Sequence, residues 1–205
     1  MNRRDLLTLN PHNPAVAKHH QDFSNTDRTS TGLTPYAGPW TLAEVKHLLR
    51  RAMFGAPKVD ADHFVSAGMA NSIAELLTPS AVPPPPLYTY TTQYNDPNVP
   101  FGSAWVTAPP DPNAIGVRIK SFKAWWTGLL LNQPRTIEEK MTLFWSNHFS
   151  TETMSVSDPR FSYATNALCR QHAMGNFKTL TKLITLDPGM LKYLNGYLNT
   201  AIAPD

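Results

Sequence analysis

The stretch TIEEKMTLFWSNHFST at residues 136–151 constrains the fold more than any other, because a cap, a helical period and polar chemistry coincide in it. Thr136 and Glu139 stand at the spacing of a capping box, and Ile137, Met141, Phe144, Trp145 and Phe149 recur behind them at helical intervals. The prediction is an amphipathic helix buried through a heavy aromatic stripe. His148 falls on that stripe, four residues from Phe144 and seven from Met141, so an imidazole is expected on the apolar face. The cap accounts for Glu139, which leaves Glu138 as the carboxylate nearer the stripe.

The same code predicts helices on both sides of this one. Thr41 and Glu44 form a second capping box ahead of Leu42, Val45, Leu49, Ala52 and Met53, with Gly55 as the stop. His47 and Arg51 fall on the opposite, polar face with Glu44. Two weaker segments, 61–67 and 70–77, are separated by Gly68 and read as a helical hairpin. After residue 113 the period returns through Ile115, Phe122, Trp125, Trp126, Leu129 and Leu130, and the short break at Gln133-Pro134 makes this helix an expected antiparallel neighbour of the next. Asp158-Pro159, Asn176 and Asp187-Pro188 are N-terminal signals for three more helices, the first ending near Gly175.

Between these blocks the code stops. Residues 79–112 hold four consecutive prolines at 83–86 and then a turn-rich run, which reads as a long loop excursion with at most a short strand at 87–92. Its aromatics Tyr88, Tyr90, Tyr94, Phe101 and Trp105 are expected to pack down on the helices, the segment as a whole lying over the core as an insertion. Residues 1–38 lack any sustained period and are rich in Asn, His, Pro, Ser and Thr, so they read as a flexible arm. The fold class expected is mainly α: about seven helices in residues 39–205, around Trp125, Trp126, Met141, Phe144, Trp145, Phe149, Leu168, Phe177 and Leu180. Met190, Leu191 and Leu194 in the last block need cover from outside it.

Function classes are narrowed more than selected. Eighteen Lys and Arg against fifteen Asp and Glu leave a formal charge of +3, with the basic residues in pairs such as Arg50-Arg51 instead of one large patch, so nucleic acid is not an expected partner. No apolar run reaches the length of a membrane span. MNRRDLL resembles the start of a twin-arginine signal, but the apolar run that must follow is missing. The single cysteine, Cys169, cannot form an internal disulfide and sits at an apolar helical position, where burial is its expected role. His12, His19 and His20 form a His-rich tract without Cys or clustered carboxylates, so no metal or other cofactor is expected.

Four blocks, EVKHLLRRAMFGAP at 44–57, EEKMTLFWSNHFST at 138–151, CRQHAMGNFKTL at 169–180 and LDPGMLKYLNGYLNT at 186–200, together resemble the bacterial family named domain of unknown function 1800. The resemblance spans most of residues 40–200. It implies longer relatives, many of them exported, that continue with a helix rich in Glu, Asn, Tyr and Arg; residues 1–205 then correspond to an N-terminal portion completed by the rest of the polypeptide or by another protein chain. Relatives often carry a histidine where this chain has Ser146, a His-x-His pair that invites a metal reading and is absent here. Positions 146 and 148 also diverge on a helix.

Two functions are compatible with these residues. One is a helical scaffold or interaction module, placed by the resemblance in the bacterial envelope, since no nucleophile elbow, phosphate loop or metal cluster occurs. The other is a hydrolase assembled from His148, Glu138, His47 and Arg51 with carboxylates from elsewhere. The candidate polar site is His47, Arg51, Glu138, His148, Arg170 and His172. His47 and Arg51 belong to a recognition block yet face away from their helix's apolar stripe, so they are expected to line a pocket for a carboxylate or phosphate with Arg170 or His172, unless Arg51 pairs instead with an acidic residue of the further helix that the resemblance implies.

Overall fold

Thr41 opens the first helix as its spacing requires: its hydroxyl accepts from the Ala43 amide and the Glu44 carboxylate accepts from the Thr41 amide at 3.0 Å. The computed structural model describes residues 35–89, 94–200 and 202; the tract of His12, His19 and His20, most of the arm, and Tyr90 lie outside them. The chain divides into two units, residues 1–39 and Trp40–Asp205. Of the first, the described residues show Tyr36 donating to the Pro39 carbonyl at 3.0 Å.

The second unit contains nine α-helices among the described residues and no sheet. We number them α1 (Leu42–Ala52), α2 (Lys58–Ala67), α3 (Met69–Leu76), α4 (Ile115–Leu131), α5 (Glu138–His148), α6 (Thr153–Val156), α7 (Pro159–Gln171), α8 (Phe177–Ile184) and α9 (Pro188–Tyr193). The count exceeds the seven expected partly because α6 is a single turn, too short to show a period. Asp158, Asn176 and Asp187 each cap the helix they precede, accepting from Arg160, Thr179 and Met190 amides at 2.9, 3.1 and 2.9 Å.

Helices α1–α3 close around Val45, Leu49, Met53, Ala61, Phe64 and Leu76, with Gly68 at φ +78° making the turn that non-glycine residues resist. Ile137 packs on this cluster, and its amide donates to the Leu76 carbonyl at 2.9 Å, which ties the start of α5 to the end of α3.

Residues 79–112 form the loop excursion that their prolines dictate, but they fill a core instead of covering one. Tyr88 and Trp105 are completely buried and share a second cluster with Val99, Val117 and Phe122. The only pairing near the expected strand is an isolated bridge between Leu87 and Ala104 among the described residues. Polar atoms that prolines and turns leave unmatched are taken up by α4: Trp105 Nε1 donates to Ser121 Oγ at 2.9 Å, Trp125 Nε1 to the Pro84 carbonyl at 2.7 Å, and Arg118 to Asp96 and the Pro109 carbonyl, both at 2.8 Å. Phe101 departs from expectation and stays exposed.

Helix α7 is the axis of the remainder, because α4, α5, α6, α8 and α9 all pack on it. The predicted α4–α5 hairpin is therefore looser than its short connection implies: each of the two packs mainly on α7. At the α9 contact a Cβ on Gly189 would lie 2.3 Å from Thr165 Oγ1 and 3.2 Å from the Phe161 carbonyl, so only glycine lets the two backbones approach.

Candidate functional site

Helix α5 is buried through the wrong face, by the logic of its apolar stripe. Glu139 is 6% exposed and Thr142 fully buried, whereas Phe144 on the stripe is 52% exposed. The Thr136–Glu139 capping box does not form: α5 begins at Glu138 with Ile137 as its N-cap, and Thr136 Oγ1 accepts only from the Glu138 amide at 3.3 Å. The cause is Arg170. Its Nε and Nη2 donate to the two oxygens of Glu139 at 2.7 and 2.9 Å, its Nη1 donates to Asn166 Oδ1 at 2.7 Å, and the guanidinium lies 5.0 Å from the Trp125 ring centroid. A bidentate, stacked and buried pair of this kind outweighs a single cap bond. Glu139, not Glu138, is thus the interior carboxylate of α5.

The facing side of α7 is equally polar. Ser162, Thr165, Asn166, Cys169 and Arg170 are buried along it, with Thr165 Oγ1 donating to Asp187 at 2.6 Å and the Ser146 hydroxyl lying against Cys169. Cys169 is completely buried, and burial pushes its thiol above its ordinary pKa, as in a packing role. At the start of α7 burial works to raise the Asp158 pKa, but its bonds from the Arg160 side chain and amide prevail and hold it below the ordinary carboxylate range.

Only half covered, the aromatic stripe meets α8 and makes a platform. Trp145 stacks on Phe149 and on Phe177, with centroids 6.2 and 5.4 Å apart, and His148 lies parallel to Phe144 at 6.4 Å. His148 also meets Phe149 and Phe177 edge-on. Trp145 Nε1 donates to the Ala173 carbonyl at 3.0 Å, which fixes the ring that the others lean on. Phe144 and Phe177, both predicted as core, are half exposed, because the α5–α7 interface is taken by the polar residues.

The sequence-predicted site residues are dispersed over this framework. Arg170 is spent on Glu139 and Asn166. Glu138 receives the Ser80 amide at 3.2 Å and the Ser80 hydroxyl. His148 is exposed on the platform, and His172 is the half-buried C-cap of α7. His47 and Arg51 are exposed on the outer face of α1, where they line a shallow depression with Ala43, Lys46 and Arg50. Among the described residues no hydrogen bond or ion pair joins His47 or Arg51 to Arg170, His172, Glu138 or His148. Nor do the described residues contain a group of three His, Cys, Asp or Glu placed to hold a metal ion. Sequence reasoning missed Glu139, Asn166 and Phe177 as site-defining residues. The available signal was the polar run Glu139, Thr142, Ser146 at helical spacing opposite Ser162, Asn166, Arg170.

The model of the family described as protein of unknown function (DUF1800) matches residues 47–205. The chain belongs to this family. The match takes in the polar seam between α5 and α7, the aromatic platform and all six predicted site residues, since His47 is its first position. No curated protein and no solved structure matches this DUF1800 chain. Among the described residues, none of its helices is long and apolar enough to cross a membrane.

Proposed function

We propose that this chain is a helical scaffold or interaction module that receives a partner protein on the aromatic face of α5 and α8. The observation that carries the reading is the platform itself: Phe144 and Phe177 are each 52% exposed within a set of five rings in mutual contact. Single exposed apolar residues are ordinary on protein surfaces, whereas contiguous rings held in one arrangement mark contact sites. Aromatic anchors dominate binding energy where they enter a partner's pocket, and rings already fixed lose little entropy on docking. Fixing is provided by the Trp145–Ala173 bond above and by the Glu139–Arg170 pair beneath.

The test is a paired substitution, Phe144→Ser with Phe177→Ser, in the full chain. Partners captured from cell extract by the unaltered protein are identified by mass spectrometry, purified and titrated against both forms. The double variant is expected to melt as cooperatively as the parent and to lose at least about tenfold in affinity, as removal of two central aromatic anchors entails. Undiminished binding by a folded double variant would contradict the reading.

A further inference from the structure

Resting on the aromatic face as a docking surface, we infer that its partner presents an acidic segment and that the surface continues onto the outer face of α1. Segments 45–59, 140–151 and 169–186, which supply α1 beyond its first turn, the exposed part of α5 and all of α8, contain no Asp or Glu. Within them only Lys58, paired with Asp62, and the buried Arg170, paired with Glu139, have carboxylate partners among the described residues. Outside these segments Arg118, Arg135 and Arg160 have carboxylate partners, whereas among the described residues the exposed Arg50 and Arg51 have none. Lys46, Lys178 and Lys182 likewise lack one, and Lys140 is held over an aromatic ring instead.

On α1 the pattern is costly by itself. Lys46 and Arg50 stand four residues apart on an exposed face, with Arg51 beside them, the spacing at which like charges repel and an acidic residue would stabilise. The only acidic residue of that helix, Glu44, is committed to the N-cap. The two regions are physically joined. Lys140 Nζ lies 4.4 Å from the centroid of Phe54, which follows the last turn of α1, and donates to the Met53 carbonyl at 3.3 Å. Phe144 stands one turn further along α5, beside Phe177 and His148 through the stacked set. Aromatic anchors at one end and unpaired cations at the other fit a helix or extended segment that carries apolar side chains flanked by carboxylates, with the charges setting partner choice and encounter rate.

Two amphipathic peptides of about 20 residues with the same Leu and Trp stripe, one bearing Glu and one bearing Gln at the flanking positions, test this by fluorescence anisotropy on the full chain. The Glu peptide is expected to bind about tenfold tighter or better at 0.05 M salt, and to lose about that gain at 0.5 M, where charges more than a few ångströms apart are screened. The pair Arg50→Glu and Arg51→Glu, checked for unchanged melting, is expected to abolish the gain and leave Gln-peptide binding intact. Equal affinity for the two peptides, or no effect of the charge reversal, overturns the acidic partner while leaving the docking face standing. Peptide binding that survives Phe144→Ser with Phe177→Ser counts against the docking face itself. Failure of both peptides to bind, alone or beside firm binding to phosphatidylglycerol vesicles, also overturns the inference, and the second result reassigns the strip to a lipid surface.

Discussion

Helices α1 and α5 are both eleven residues long and both carry apolar side chains at helical spacing, yet they are buried through opposite kinds of face. In α1 the apolar stripe points inward to Phe64 and Leu76, and the charged side is left to water. In α5 Glu139 and Thr142 are the buried residues, whereas the stripe is only half covered and its Phe144 is exposed. Amphipathicity says that a helix has two unlike faces. Which face is buried depends on what the partner helix offers, and α7 offers Arg170, Asn166 and Ser162 where α2 and α3 offer Phe64 and Leu76.

The largest expected effects come from breaking the two interiors one at a time. Arg170→Ala leaves the Glu139 carboxylate buried and unpaired, so a loss of about 3–5 kcal/mol is expected in denaturant unfolding. Replacing both partners, Glu139→Leu with Arg170→Met, is expected to recover most of that loss, which sharpens the comparison by showing that the seam needs matched faces more than it needs charge. Leu49→Ala, the corresponding cut in the α1–α3 cluster, is expected to cost about 2–5 kcal/mol with no second substitution on a facing helix able to restore it, because the cost is a cavity. If Arg170→Ala is the milder of the two by a wide margin, the seam is a solvated surface and not an interior.

These two regions also mark what was legible in the sequence. Caps at Thr41, Asp158, Asn176 and Asp187 were readable because they are local: one side chain bonded to an amide two or three residues on. The Thr136–Glu139 cap failed for a nonlocal reason, since Arg170 lies 31 residues from Glu139 and competes for it. Tyr88 and Trp105 were legible as aromatics that pack down, but their complete burial was not, because a proline-rich loop gives no period from which an inside can be told. Of the candidate site, the identity of interesting residues was visible and their grouping was not. His47 and Arg51 share a depression on α1, while Arg170 is committed to Glu139 across the α5–α7 seam.

A smaller effect is expected from pH. The folded state holds the Asp158 pKa below its ordinary value, so the carboxylate contributes stability that is fully present above the unfolded-state pKa of about 4 and is lost as pH falls through the depressed folded value. Asp158→Asn keeps the cap but removes the ion pair with Arg160; stability at neutral pH is expected to drop by about 1 kcal/mol at most, and its decline in acid to be shallower than in the parent. A variant whose acid profile superimposes on that of the parent would show that Asp158 contributes nothing through its charge. Smallest of all is Ser162→Ala. Ser162 Oγ is buried without a hydrogen-bond partner among the described residues, so the change is expected within about 0.5 kcal/mol of neutral, whereas a loss above about 1 kcal/mol would reveal an ordered partner for the hydroxyl.

The most direct test of an inverted α5 is the unfolding free energy of Phe144→Ser measured beside that of Arg170→Ala. With its polar face inside, α5 should lose no more than about 1 kcal/mol from Phe144→Ser, the share of a phenylalanine that is half exposed, and several times that from Arg170→Ala. A Phe144→Ser loss of about 3–5 kcal/mol, the size expected for a ring removed from a closed core, together with a mild Arg170→Ala, would put the aromatic stripe inside and contradict the account.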